Sequence, residues 1–359
     1  MVQRIPASGL ENSGGNFKNL IINGDMSQFQ RATATTTVTS GEYQTADRFK
    51  LYENTDGAYT AELENLSVAD QATTGQRTAL ELNVTTADGT IGASQFAAIY
   101  HPIEAQFLQH ILYGTSAAKD LTLSFWVKSN KTGTYCVAID KNDNTAYRLP
   151  IEYTISSADT WEKKVIHISP TAGSTSLITA SGAAIDNDNG TGMLVTFALA
   201  WGSNYQGTNN TWVTGNAYST SNQVNWMDST DNNFYITGIQ LEVGSGASDF
   251  EHLPNDIQLL RCQRYCQKFD FSASNNMYGT GRTLSSNRVD IWFPVLIQMR
   301  AVVDAISDSL TTTTIYRGDG TRHDSTTQTA TALVNANMVC FGVRKTYSDT
   351  IEGDNLVGT

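Results

Sequence analysis

The sequence predicts a mainly β protein: an N-terminal jelly-roll or β-sandwich domain, a short connecting α-helix and a smaller C-terminal β domain. Three observations carry this. Short runs rich in Thr, Val, Ile, Tyr and Phe recur between Gly, Asn and Asp turn clusters, the texture of a sandwich rather than of βαβ units. Hydrophobic residues are 40% of the 359-residue chain and charged residues only 16%, so cores can form while the Lys and Glu of long surface helices are scarce. The clearest helical period is confined to one stretch in the last third of the chain.

Residues 1–16, ending "ENSGGN", are polar and Gly-rich and read as an extended arm. Residues 17–250 form the jelly-roll domain. Its opening, "LIINGDMSQFQR", reads as a strand, an Asn23–Gly24 turn and a polar arm. "TADRF" follows as a strand start, with Asp47 and Arg48 expected to pair with each other and lock the fold. "DRFKLYE" alternates around Phe49 and Leu51. "TALELNV" sets Leu80, Leu82 and Val84 against Ala79, Glu81 and Asn83, and "LTLSFWVKS" turns Leu121, Leu123, Phe125 and Val127 inward. "YCVAID", "TAYRLPIEY", "WEKKVIHIS", "GMLVTFALAW" and "NFYITGIQLEV" complete the set. In residues 103–120, Phe107, Leu108, Ile111 and Leu112 recur at helical spacing, which predicts a short helix or turn before the Leu121 strand.

Residues 251–270 connect the two domains. Within them "PNDIQLLRCQRYCQKF" (254–269) predicts the helix, capped by Asn255 or Asp256. Leu259, Cys262, Cys266 and Phe269 form a heptad-like stripe, the candidate subunit contact if it packs on symmetry copies of itself rather than on a sheet. Residues 271–359 return to β texture.

The net charge of −12 argues against nucleic acid and anionic lipid as partners. The longest apolar runs, "MLVTFALAW" and "IWFPVLIQM", are far below the ~18 residues of a membrane span. "MVQRIPASGL" has no apolar h-region, so synthesis in a cytoplasm without a secretory signal is expected. Cys136, Cys262, Cys266 and Cys340 are too few for a disulfide framework and read as small core residues.

The search for chemistry is mostly negative. His101, His110, His167, His252 and His323 never stand four apart, so a helical metal pair is absent, and there is no G-x-S-x-G elbow. Glu62 with Glu64, or Asp228 with Asp231, can be drawn as a glycosidase pair, but such a pair must flank one cleft, and solvated carboxylates are the simpler reading. No catalytic residue is assigned. "DKNDN" and "DNDNG" place oxygens at alternate positions, making Asp140, Asn142, Asn144, Asp186 and Asp188 calcium candidates. Thr145 stands where a calcium loop wants Gly, Gly190 comes one place early, and turn chemistry accounts for both loops as well. Residues 201–226 carry Trp201, Tyr205, Trp212, Tyr218 and Trp226 among amides and hydroxyls. These are glycan-binding candidates, because rings stack on sugar C–H faces while amides bond hydroxyls; alternatively they anchor a long loop.

In this order, "NLIINGDMSQFQR", "TADRF", "LTLSFWVKS", "YTISSADTWEKKVIHI", "NFYITGIQLEVG", and "DFEH" followed by "LLRCQRYCQKF" resemble a family of bacteriophage virion proteins, the tail fibre or minor structural proteins that carry a carbohydrate-binding-module-like jelly roll. The resemblance spans most of residues 17–300, and "DIWFPVLIQMRAVV" resembles the family's strand after its helix. It implies a non-enzymatic virion component made in the bacterial cytoplasm: a homotrimeric fibre or adhesin that contacts other tail or capsid proteins and a host-surface glycan. A capsid-decorating or head-fibre protein is the alternative within the class. A glycan depolymerase is the alternative outside it, opposed by the missing acid pair and the missing long β-helix repeat; a bacterial surface lectin is a third, disfavoured by the missing signal. The short arm before Phe17 and the linker "FEHLPNDIQLL" depart from the family pattern.

Overall fold

The computed structural model describes residues 18–268, 279–285, 288–294, 297–300, 313–316, 322–325, 331–333, 340–346 and 356–358. The arm 1–16 and Phe269 lie outside the described residues. The chain divides into two compact units, Met1–Gln258 and Leu259–Thr359.

The first unit holds eleven strands: β1 Thr36–Thr37, β2 Lys50–Asn54, β3 Ala58–Asn65, β4 Thr78–Thr86, β5 Phe96–Glu104, β6 Leu121–Lys128, β7 Gly133–Lys141, β8 Tyr147–Ile155, β9 Glu162–Ile168, β10 Thr191–Trp201 and β11 Asn233–Val243. They form a six-stranded sheet in the order β1-β3-β4-β11-β6-β9 and a five-stranded sheet in the order β2-β5-β10-β7-β8. Every strand pairing in both sheets is antiparallel. The sheets pack face to face. Leu80, Leu82, Leu121, Leu123, Phe125, Val127 and Ile236 from one meet Leu51, Ile99, Val137, Ile139, Leu149, Val195 and Phe197 from the other in a single buried core. The period of two seen in "LTLSFWVKS" and "TALELNV" is the cause: alternate residues face that core, and a slip by one would turn them all to solvent.

One expectation about local structure holds in kind and another changes. Residues 103–120 supply the end of β5 and then a 3-10 helix, Ala105–Ile111. Its tighter winding keeps Leu108 and Ile111 buried but leaves Phe107 41% and Leu112 40% exposed. The helix predicted over 254–269 is shorter: it covers Asn255–Gln263, so Cys266 lies beyond its end. Cys262 is fully buried and Leu259 half-buried. Of the described members of the stripe read as a subunit contact, Leu259 and Cys262 therefore stand on the helix and Cys266 does not. A short helix over Val68–Thr74 was not predicted. Ser67 caps it by accepting from Asp70 N, and Gly75 ends it in the left-handed region at φ 72°.

The opening motif also differs. Residues 18–30 form no strand; they are an irregular buried segment in which Leu20 N bonds the Leu241 carbonyl. Asn23 takes φ 64°, a turn conformation that Asn tolerates. Its amide donates to the Gln28 and Asp47 carbonyls, and its Oδ1 accepts from Ser27 N and Gln28 N. Asp47 and Arg48 do not serve mainly each other. The Asp47 carboxylate takes Arg31 at 3.3 Å and the Gln30 amide at 2.6 Å, while Arg48, at φ 73°, donates to the Pro102 carbonyl. "LIINGDMSQFQR" and "TADRF" thus fasten one another, which explains a signature that is specific and chemically quiet.

In the second unit β12 Gly279–Ser285, β13 Arg288–Pro294, β14 Thr313–Tyr316, β15 Arg322–Ser325, β16 Thr331–Leu333, β17 Cys340–Thr346 and β18 Leu356–Gly358 form one antiparallel sheet in the order β15-β14-β18-β12-β13-β17-β16. No helix among the described residues is long and apolar enough to cross a membrane.

Candidate functional site: an aromatic sheet face

The outward residues of the five-stranded sheet follow from its register. Tyr52, Ala98, Ala198, Cys136 and Glu152 lie in one row across all five strands. Lys50, Tyr100, Thr196, Ala138 and Pro150 form the next, and Pro102, Leu194, Asp140 and Arg148 the one after. Small residues in the middle of the face leave room for large rings from its edges and from the following loop.

Those rings form one cluster. Trp201, at the end of β10, lies between Phe96 and Tyr218, with ring centroids 4.5 and 4.6 Å away and both pairs stacked. Tyr205 meets Trp201 edge-on at 4.9 Å, Tyr52 contacts Tyr100 at 4.5 Å and Phe96 at 5.8 Å, and Tyr100 faces Tyr218 at 6.4 Å. Offset and edge-on pairs of this kind add about 0.5–1.5 kcal/mol each to area burial. Tyr52, Phe96, Tyr100, Tyr205 and Tyr218 remain half-buried and open to a ligand. Trp201 is only 6% exposed and both its faces are taken.

The loop after β10 places Tyr205 and Tyr218. Gly202 starts it, where a Cβ would stand 2.1 Å from the Gly92 carbonyl oxygen, so only glycine fits that crossing. Tyr218 N and Ser219 N bond the Tyr205 carbonyl, and Val213 adds to the edge of β8 by exchanging two backbone bonds with Arg148. At this edge the rings meet charge. Arg148 Nε donates to the Tyr218 hydroxyl at 2.8 Å and lies 3.4 Å from Asp140 Oδ2, and the hydroxyl donates to the same oxygen at 3.2 Å. Burial pushes the Asp140 pKa up against the opposing pull of Arg148 and Tyr218. Asp140 Oδ1, Thr196 Oγ1 and Ser219 Oγ are buried without a hydrogen-bond partner among the described residues. Glu152 accepts from the Thr220 hydroxyl and the Asn222 amide, and burial raises the Cys136 thiol beside Thr220 to about 11.

Of the five aromatic candidates, Trp201, Tyr205 and Tyr218 meet on this face. Trp212 and Trp226 do not. Trp212 is 1% exposed, with its N–H on the Ser169 carbonyl; Trp226 is fully buried, edge-on to Tyr59, with its N–H on the Asn233 carbonyl. Both are core anchors, because large rings with a satisfied N–H stabilise most when desolvated. Tyr52, Phe96, Tyr100 and Arg148 were not predicted as site residues. The signal was the alternation in "FAAIYHPIE", where Phe96, Ala98 and Tyr100 oppose Ala97, Ile99 and His101.

The two acidic loops do meet, but around a lysine. Asn144 donates to the Ala184 carbonyl and to Asp186, and Asp186 N bonds Asp143. Between them the buried Lys141 ammonium donates to the carbonyls of Asp143, Thr145 and Gly182. Asp140 points instead to Arg148, Asn142 N bonds the Gly192 carbonyl, and Asp188 Oδ1 accepts from Gly190 N. Among the described residues no group of three or more His, Cys, Asp or Glu side chains is placed to hold a metal ion. Of the imagined acid pairs, Asp228 is bound to Lys131 and Glu62 accepts from the Thr35 hydroxyl.

Fold and site together define an antiparallel β-sandwich with an aromatic face on one sheet. No protein-family model matches the chain, and no curated protein is significantly similar to it. Solved structures similar to it include a protein of Bacteroides thetaiotaomicron proposed to bind sugar, 14% identical over 63% of this chain and 100% of that one, with a TM-score of 0.34. The enzymatically active domain of tailspike protein 4 of bacteriophage CBA120 is 14% identical over 63% of this chain and 22% of that one, also at 0.34. The family 11 carbohydrate-binding module of Clostridium thermocellum, solved with a β-1,3-1,4-mixed-linked tetrasaccharide, is 12% identical over 60% of this chain and 99% of that one, at 0.29. At scores this low the likeness assigns neither family nor ligand.

Proposed function

We propose that the first unit binds glycan through its aromatic sheet face, within a non-enzymatic bacteriophage virion protein, a tail fibre or adhesin directed at host-surface glycan. The observation that carries the binding reading is five half-buried rings, Tyr52, Phe96, Tyr100, Tyr205 and Tyr218, on one face rimmed by Arg148, Glu152 and Asn222. Rings offer C–H stacking and the rim offers paired donors and acceptors, the two kinds of contact that hold a saccharide. The virion assignment rests on the ordered motifs of the sequence. Each stacked ring contributes on the order of 1 kcal/mol, so one site is weak and a homotrimer joins several by effective concentration. The test is adsorption of the purified protein to host envelope polysaccharide, with reducing sugar measured in parallel. Tyr52→Ala and Tyr205→Ala, at unchanged melting temperature, are expected to bind several-fold less, and no sugar is expected to be released. Parent-level binding by both folded variants overturns the assignment of the face.

A further inference from the structure

The outer face of the six-stranded sheet carries a second constellation. Register places Lys128, Tyr235, Glu81 and Glu62 in one row across β6, β11, β4 and β3. Beside it on the same face stand Trp126 opposite Thr237, and Ala79 opposite Glu64. Trp126 and Tyr235 are half-buried against Leu66, Ala79 and Trp161. Trp126 is seated by Gly238, which takes φ 60° at a break in the β6–β11 register; a Cβ there would stand 3.1 Å from the indole. Lys128 Nζ is held over two rings, 4.3 Å from the Tyr235 centroid and 5.1 Å from that of Trp161.

The carboxylates on this face are arranged against their own stability. Glu62 and Glu81 stand directly opposite, where like charges repel. Glu81 has the Tyr235 hydroxyl and the Asn83 amide, each at 2.8 Å, and Glu62 has the Thr35 hydroxyl at 2.6 Å. Glu64 is half-buried, and no hydrogen bond or ion pair reaches its carboxylate among the described residues. Burial first, and Glu81 second, raise its pKa, although Lys128 on the same face pulls the other way. The Trp161 N–H, in a residue 7% exposed, also has no hydrogen-bond partner among the described residues. A sheet face that breaks local charge rules beside fixed rings has the signature of a binding site.

We propose that this face is a second, separate binding site, for a saccharide chain bearing free amino groups. The ammonium supplies the donor and the charge that Glu64 and the Glu62–Glu81 pair call for, and the pyranose supplies a rigid C–H face to Trp126 and Tyr235. These two rings stand diagonally on neighbouring strands, Tyr235 opposite Lys128 and Trp126 opposite Thr237, about 7–8 Å apart in the sheet, a span that adjacent sugar units of one chain can bridge. A lysine-rich peptide has the ammonium but offers the rings only a flexible stem. This site does not depend on the aromatic face of the other sheet.

The experiment is calorimetric titration of the full chain, at mildly acidic pH, with a β-1,4-linked glucosamine oligomer, its N-acetylated counterpart and a lysine-rich peptide. The glucosamine oligomer is expected to bind, and the acetylated one to bind at least about tenfold more weakly, the scale of a lost charged hydrogen bond. Glu64→Gln, which keeps the side-chain shape, is expected to lose about tenfold for the glucosamine oligomer; Trp126→Ala, if it keeps its melting temperature, is expected to lose binding as well. Equal affinity for the two oligomers, or parent-level binding by Glu64→Gln, overturns the proposal. So does tight binding of the peptide with none of the glucosamine oligomer, which would mark the face as a protein contact. If Trp126→Ala fails to fold, Glu64→Gln decides alone.

Discussion

The Tyr218 hydroxyl accepts from Arg148 Nε at 2.8 Å and donates to Asp140 Oδ2 at 3.2 Å, so one loop ring is bolted to the sheet by a largely buried ion pair. The bolt sets where the aromatic face ends and how its outer ring is turned. Tyr218→Phe keeps the stack on Trp201 and removes the bolt. The expected loss is about 1–3 kcal/mol of stability, read by urea unfolding, with a several-fold fall in glycan affinity. A variant as stable as the parent would show the bolt to be dispensable.

Trp212 and Trp226 separate folding from binding. Either one changed to Ala empties a large buried volume, and about 3–5 kcal/mol of stability should be lost. Where the variant stays folded in the cold, its glycan affinity is expected to equal that of the parent. Tyr205→Ala should show the reverse pattern, weaker binding at nearly unchanged melting temperature.

Asn23 joins the two opening motifs. Asn23→Ala removes four hydrogen bonds and puts a Cβ-bearing residue at φ 64° without a side chain that bonds locally. A loss of about 3 kcal/mol or more follows from unpaired buried groups. Asn23→Gly relieves the backbone but not the bonds, so it should be the milder of the two in a thermal melt.

Lys141 gives a pH signature. Burial lowers its pKa from 10.5 to about 8, although Asp143 and Asp186 pull the other way. The unfolded chain then holds more protons than the native one between these values, so this group makes stability rise as pH goes from about 8 toward 10.5. Lys141→Met lacks the effect. The parent-minus-variant difference in urea midpoint should therefore increase with pH across that window, and a flat difference would show the ammonium to be unperturbed.

Assembly is tested by mass. The trimer reading expects light scattering to return three times 39.1 kDa at micromolar concentration; the monomer mass would end it. Because Cys262 is buried within its own chain, Cys262→Ser should lower the melting temperature whatever the oligomeric state.

What the sequence determined by itself was periodic. Leu121, Leu123, Phe125 and Val127 had to share a face because strand side chains alternate, and a series of such runs between turn clusters calls for a sandwich or jelly roll. Helix extent was less legible: the apolar spacing ran on to Phe269, yet helical structure stops at Gln263. Partnership was not legible at all. Asp47 stands next to Arg48 in the chain but binds Arg31 and Gln30, because at φ 73° Arg48 turns away to the Pro102 carbonyl of β5. Among the five rings of residues 201–226, composition could not tell a platform from an anchor. Strand register brought Tyr52, Phe96 and Tyr100 together on the face that Tyr205 and Tyr218 join, while the path of the segment between β10 and β11 sent Trp212 and Trp226 into the core. That choice depends on which strands become neighbours, a matter of contacts far apart in the chain, so only the tertiary structure could make it.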